Sequence, residues 1–338
     1  METFIKGREG RLASLFISLL VTSLIIVSSI LVGTRSDVVG ADTYAYKYYF
    51  RNLAHTLSED KFEPLFYILA KFFNIFSNVE VFFFAINFIF LLCILFYMSN
   101  FKRGNGLVVL FFISISFMLV SNWYLTAVTN GLRQGIAIPF IFLSFIYAYK
   151  RNFILYLACG LVACGFHYSS FIFIPFAFLL LLKSKKVFFF LYIAISVGYL
   201  LGFNEQLIKL TSDGLKLPIY AMIKNYAGGV GPWNGFNIIF YLYSNFWFVI
   251  SIIFLYLFPS KIDRKFNILV FTYGTLLMPY FIFGFGPFSN RYAFPAWLYL
   301  PILHAGFFYF LKVSAPWKLS LALCVASLSL IKFGFLFS

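Results

Sequence analysis

The sequence predicts an all-α fold: a polytopic integral membrane protein of about eleven transmembrane helices, ten to twelve at the limits, plus one short interfacial or re-entrant helix. Three observations carry this expectation. Of 338 residues, 62% are hydrophobic and only 11% charged, where a soluble domain carries roughly a quarter charged residues and a disordered chain is poorer in apolar residues still; mean hydropathy is +0.91. Apolar runs close to the roughly 17–25 residues that a bilayer core demands recur along the whole chain. Basic residues gather in short turns after every second run, which is the positive-inside pattern. The excess of 26 Lys+Arg over 11 Asp+Glu, a net +15, is therefore first a statement of topology and not of a nucleic-acid partner.

The first run, 12–32, follows Lys6, Arg8 and Arg11. It is longer than the h-region of a signal peptide and reads as a retained first span. The remaining runs are 81–98, 106–124, 135–149, 153–166, 168–182, 187–202, 236–258, 266–284, 293–311 and 319–337. With the N-terminus cytoplasmic, the turns holding Lys102/Arg103, Lys150/Arg151, Lys183/Lys185/Lys186, Lys261/Arg264/Lys265 and Lys312/Lys318 all fall on the cytoplasmic side, each two spans after the last. The segment 64–76 is short for a span and contains Lys71. Counting it as a twelfth span would reverse every later turn, so positive-inside counting places it on the outer side as an interfacial or re-entrant helix. The chain then forms one membrane domain, 1–338, whose outer-face loops are 33–63, 125–134, 203–235 and 285–292, with a tight turn at His167.

Cys93, Cys159, Cys164 and Cys324 lie inside apolar runs without the spacing of a zinc site or a disulfide framework. They read as small core residues, and neither a metal nor a cofactor is expected. There is no P-loop, dinucleotide fingerprint, H-E-x-x-H or G-x-S-x-G motif, which disfavours ATP-driven transport, zinc proteolysis and serine hydrolysis.

Once the basic turns are set aside, four separate stretches put ionisable groups at the expected outer level. Charge there is costly unless it snorkels, pairs or serves a purpose. The first loop holds Arg35, Asp37, Asp42 and Glu63 together with the tyrosine-rich run Tyr44-Ala45-Tyr46-Lys47-Tyr48-Tyr49. Tyrosines such as Tyr44 and Tyr46 suit sugar rings, because the ring stacks on C–H surface while the hydroxyl bonds to sugar hydroxyls; an interfacial aromatic belt is the plainer reading. In the second stretch, Thr129-Asn130-Gly131-Leu132-Arg133-Gln134, Arg133 stands at a helix N-terminus and suits a phosphate, or Asn130 and Gly131 simply cap the helix. The third, Gly165-Phe166-His167-Tyr168-Ser169-Ser170, offers His167 as a proton acceptor or a phosphate donor. The fourth, Gly286-Pro287-Phe288-Ser289-Asn290-Arg291-Tyr292, supplies a second outer arginine, and two arginines suit a pyrophosphate.

These stretches resemble the bacterial O-antigen polymerases, in particular the EpsG-like branch of exopolysaccharide polymerases. The resemblance rests on Gly40-x-Asp42 followed by tyrosines, Glu63-Pro64-Leu65-Phe66, Arg133-Gln134-x-Ile136-Ala137, Phe166-His167-x-Ser169 with Pro175 beyond it, and Arg291-Tyr292. It runs along most of the chain, and Ala41 stands where a hydroxyl residue is expected. It implies a multi-pass enzyme of the bacterial inner membrane that works on the outer face. Such an enzyme joins oligosaccharide repeat units carried on undecaprenyl pyrophosphate, without a nucleotide sugar. The implied partners are that lipid-linked oligosaccharide, the bilayer and a chain-length regulator protein, with no nucleic acid. The implied site residues are Asp42 and His167 as candidates for the base, and Arg133 and Arg291 on the pyrophosphate. Alternative readings are a flippase or transporter of lipid-linked oligosaccharide, which predicts charge near the bilayer midplane and repeated halves, and an O-antigen ligase, which shares the donor.

Overall fold

The computed structural model describes residues 8–53, 63–226, 235–257 and 264–310. Among these it is all-helical, and the protein is a polytopic membrane protein. By length and composition six helices can cross a bilayer, or eight when each of two bent pairs is taken as one span. Ten of the eleven predicted runs coincide with helical segments; the eleventh, 319–337, lies outside the described residues, as do Lys6, His55, Lys261, Lys312, Lys318 and Cys324. The chain divides into two compact units, Met1–Ile174 with Pro301–Ser338, and Pro175–Leu300.

In the first unit, α1 (Arg8–Gly33) leads through α2 (Thr43–Arg51) and α3 (Pro64–Asn74) to α4 (Val79–Ser99), α5 (Gly104–Val120), α6 (Asn122–Thr129), α7 (Leu132–Tyr149) and α8 (Phe153–Phe166). Local chemistry sets several boundaries. Asn78 accepts from the Glu80 amide at 2.7 Å to start α4, Asn152 accepts from Leu155 to start α8, and Pro64 opens α3, where a missing N–H costs nothing. α1 packs on α4 and α5, and α7 on α4 and α8. Between α1, α4 and α6 a buried polar knot holds the apolar helices together: Asn87 donates to Ser29 at 3.0 Å and accepts from the Tyr124 hydroxyl.

This unit has two distinct ends. At one, Ser14 of α1 bonds Asn105 at the start of α5 (2.6 Å), and Lys150 donates to Asn100 (2.7 Å). The N-terminal part of α1 and two of the basic turns thus share a side, as charge counting requires. At the other end Gly33 closes α1 against the Glu80 carbonyl at the start of α4, and Gly40 (φ +84°) packs on Thr129 and Asn130 at the end of α6. The chain between α1 and α4 therefore leaves and re-enters at the same end. α3, 11 residues long, reaches only about 16 Å at ~1.5 Å per residue and does not add a crossing.

Three local expectations are corrected. The run 106–124 is not one straight helix: the backbone is extended at Ser121 (ψ 123°), and α5 and α6 meet at 78°. The tyrosine-rich stretch is not loop but α2, because Thr43, Tyr46, Tyr49, Phe50 and Leu53 recur at helical spacing and bury one face. The stretch 203–235 contains α10 (Phe203–Gly214) and α11 (Ile219–Lys224). The run after His167 is also unusual, since it is two 3-10 helices, Tyr168–Ile172 and Ile174–Leu181. Their rise of ~2.0 Å per residue lets a short run reach further than an α-helix of equal length.

The second unit holds α9 (Lys185–Leu200), α10, α11, α12 (Ile238–Leu257), α13 (Arg264–Phe283) and most of α14 (Asn290–Phe310). Gly202, at φ +76°, takes the left-handed turn between α9 and α10, which meet at 89°. Asn204 then ties the corner by donating to the carbonyls of Ile195 and Phe281, each at 2.8 Å. Trp297 of α14 donates to Ser244 of α12 at 2.9 Å, and Tyr273 of α13 donates to the Ser244 carbonyl.

Candidate functional site

The site grows from a buried carboxylate. Glu63 directly precedes Pro64, the first residue of α3, and its side chain is 4% exposed. One oxygen, Oε2, accepts from Arg133 Nη1 at 2.8 Å; the other, Oε1, lies 2.7 Å from His167 Nδ1 and also accepts from the Tyr168 amide at 3.4 Å. Arg133 is the second residue of α7, and His167 is the extended residue between α8 and the following 3-10 helix. Three segments far apart in sequence thus converge on one carboxylate, at the end of the unit away from the Asn100 and Lys150 turns.

Packing beneath the charges holds them there. Tyr46, Tyr49 and Phe50 of α2, Phe66 and Ala70 of α3, Phe82 and Phe83 of α4, Leu132 and Ile136 of α7, and Phe166 of α8 form one buried cluster. Gly165 allows α3 to approach, since a Cβ there would stand 2.6 Å from Leu65. Gly135 does the same for α6 and α7, with a Cβ position 2.1 Å from the Ala127 carbonyl oxygen.

A carboxylate removed from water must be compensated by charge and hydrogen bonds. Burial alone pushes the Glu63 carboxyl up. The His167 hydrogen bond and the Arg133 charge more than offset it and hold the group down at about 2, against an ordinary 4.5. Arg133 also donates to the hydroxyl of buried Tyr46. Five N–H donors in a rigid fork allow one guanidinium to serve Glu63, Tyr46 and an anionic ligand together.

Arg133 and His167 are therefore brought together, with Tyr46 beside Arg133. The helical turn of α2 divides the tyrosine pair: Tyr46 is buried, while Tyr44 is 64% exposed on another face. Asp42 is exposed at the N-cap of α2, makes no side-chain capping bond, and its charge acts on Tyr46. Arg291 belongs to the second unit. It lies over the rings of Phe288 (4.5 Å) and Tyr226 (5.3 Å) and donates to the Tyr226 hydroxyl. Among the described residues no three His, Cys, Asp or Glu side chains gather as a metal set.

Two residues that the sequence marks as members of the first-loop cluster turn out to be structural centres. Glu63 is the hub, although the sequence marks it only as one of several charges and as part of a motif. Arg35 is 1% exposed, lies 3.6 Å over the Phe83 ring, and donates to Thr43 Oγ1 and the Val32 carbonyl. The signal available for Glu63 was its place: an acid immediately before Pro64 and an apolar helix, where chain direction is fixed and a carboxylate is hard to solvate.

Fold and site together define a polytopic helical membrane protein with a buried, charge-compensated polar centre at one end of a helical unit. The chain belongs to the EpsG family, whose family profile matches residues 18–338, nearly the whole length. Membership suggests an exopolysaccharide or O-antigen polymerase-type role. No curated protein and no solved structure matches the chain.

Proposed function

We propose that this protein is a glycosyltransferase of the bacterial inner membrane that polymerises oligosaccharide repeat units carried on undecaprenyl pyrophosphate, at the outer face, with the N-terminus cytoplasmic. The observation that carries this reading is the convergence of Arg133, His167 and Glu63 at one end of the first unit, in a member of the EpsG family. Transfer needs an anion-binding group for the leaving pyrophosphate and a proton acceptor for the attacking hydroxyl, both in a partly dry setting. Arg133 and Arg291 each bind pyrophosphate oxygens, Asp42 or His167 receives the hydroxyl proton, and Tyr44 and Tyr46 contact sugar. The apolar helices carry the lipid tails, and a chain-length regulator acts on the same enzyme. A hydroxyl oxygen of one repeat unit forms a bond to the anomeric carbon of another, whose bond to the pyrophosphate oxygen breaks as the lipid pyrophosphate departs.

The test is reconstitution in nanodiscs with a synthetic repeat unit on polyprenyl pyrophosphate. No second compartment exists there, so a transporter leaves the substrate unchanged, whereas a polymerase yields products of two or more repeats. In cells, Arg133→Ala, Asp42→Ala, His167→Ala and Arg291→Ala are expected to shorten the polysaccharide. If all four made long chains at normal protein levels, the site assignment would be wrong.

A further inference from the structure

Resting on the polymerase reading, we infer that His167 is the base, acting through Nε2, and that Glu63 is the positioning residue that sets its tautomer while clamping Arg133 beside it.

The geometry assigns the protons. An ionised carboxylate only accepts hydrogen bonds, and Glu63 is kept ionised by its two partners. The 2.7 Å contact between Nδ1 and Oε1 therefore requires a proton on Nδ1. In the neutral ring the lone pair then lies on Nε2, the nitrogen turned away from Glu63. The ring is also held by its backbone: the His167 amide donates to the Ala163 carbonyl at 2.9 Å, and its carbonyl accepts from Ser170 at 3.0 Å. Of the two candidate bases, His167 is the one fixed by a buried carboxylate; Asp42 is exposed at the start of α2.

The same carboxylate has a second task. Its other oxygen takes Arg133 Nη1 at 2.8 Å, so the group that binds the departing anion and the group that accepts the proton are held at a fixed separation by a single side chain. In the step itself, Nε2 takes the hydroxyl proton and the hydroxyl oxygen forms the new bond to the anomeric carbon. The bond from that carbon to the pyrophosphate oxygen breaks, and its electron pair leaves with the lipid pyrophosphate. The imidazolium, facing Glu63, returns its proton to water before the next turnover. This is the logic by which a buried acid orients an imidazole in other acyl- and group-transfer sites.

The experiment uses the full chain in nanodiscs, labelled with 15N-histidine. The sequence has three histidines, and the His167 resonances are assigned by their loss in His167→Gln. The expected spectrum shows protonated Nδ1 and bare Nε2 for neutral His167. In Glu63→Gln that fixed tautomer is lost, and kcat for chain extension falls by about 10²–10⁴-fold. A wild-type His167 protonated at Nε2 with bare Nδ1 would overturn the inference, as would a folded Glu63→Gln variant with wild-type kcat. If Glu63→Gln does not fold, the wild-type spectrum decides alone. Failure of the polymerase reading is distinct: the wild type would show the expected tautomer yet extend no chain.

Discussion

Each unit contains a glutamate that holds a cation together with further hydrogen-bond donors, and the two are built in opposite ways. Glu63 gathers Arg133 and His167 from 70 and 104 residues away and is 4% exposed. Glu205 in α10 takes Lys224 at 2.7 Å and the Tyr220 hydroxyl at 3.2 Å, from only 19 and 15 residues away, and is 33% exposed. A local, wet ion pair forms whenever two short helices fold back on each other, and it contributes little beyond that. A buried pair assembled from three distant segments persists only because the packing forces it, and its desolvation must be met by good geometry. The contrast points to the first glutamate as the built site and to the second as a tie between α10 and α11.

The largest effect in this contrast follows from removing the first carboxylate altogether. Glu63→Ala leaves Arg133 without its counter-charge and His167 Nδ1 without its acceptor, and it should cost about 3 kcal/mol of unfolding free energy, read by thermal or denaturant unfolding in detergent. The dependence on pH has a defined sign. Because the folded-state value is depressed from 4.5 to about 2, the stabilisation is fully present above about pH 4.5 and is lost as pH falls through about 2. Wild type and variant should therefore differ most near neutrality and converge in acid. A gap that stayed constant down to pH 2 would show that Glu63 stabilises by packing and not by charge.

A second substitution attacks the same assembly without touching a charge. Gly165→Ala places a Cβ 2.6 Å from the Leu65 side chain, two residues after Glu63. Leu65 can yield, but α3 must shift with anything larger, so Gly165→Leu should carry the carboxylate away from His167. The expected cost is about 1–3 kcal/mol of overpacking, accompanied by a loss of chain extension larger than that destabilisation explains. If Gly165→Leu extended chains as the wild type does, the close approach of α3 and α8 would matter only for packing.

How much of this could be read in advance depended on the range of the interaction. Apolar runs are legible because lipid demands an internally bonded helix wherever the backbone crosses, and ten of the predicted runs indeed fall on helices. Arg133 and His167 were legible because a charged or titratable group at the end of a span breaks the surrounding pattern. The helix α2 is legible in principle through the spacing of Thr43, Tyr46, Phe50 and Leu53, a period masked by the surrounding tyrosines, which occupy buried and exposed faces alike. The 78° break at Ser121 carries no Pro or Gly to announce it. The Glu63 hub was the least accessible feature, since nothing in Glu-Pro-Leu-Phe states that an arginine 70 residues on will meet it. Only the packing of Phe66, Leu132 and Phe166 in one cluster decides that.

The smallest effect belongs to the second glutamate and serves as the control for the first. Lys224 is 41% exposed and Glu205 33%, so both already have access to water or headgroups, and ordering the long lysine side chain offsets much of the attraction. Glu205→Gln keeps an oxygen for Lys224 and for the Tyr220 hydroxyl, and should change stability by less than about 1 kcal/mol, with any change shrinking as salt screens the pair. Chain extension should stay within about twofold of wild type in the same nanodisc assay. A large, salt-independent loss of activity in Glu205→Gln would place essential chemistry in α10 and α11, and would show that both carboxylates build sites instead of one building a site and the other tying two helices.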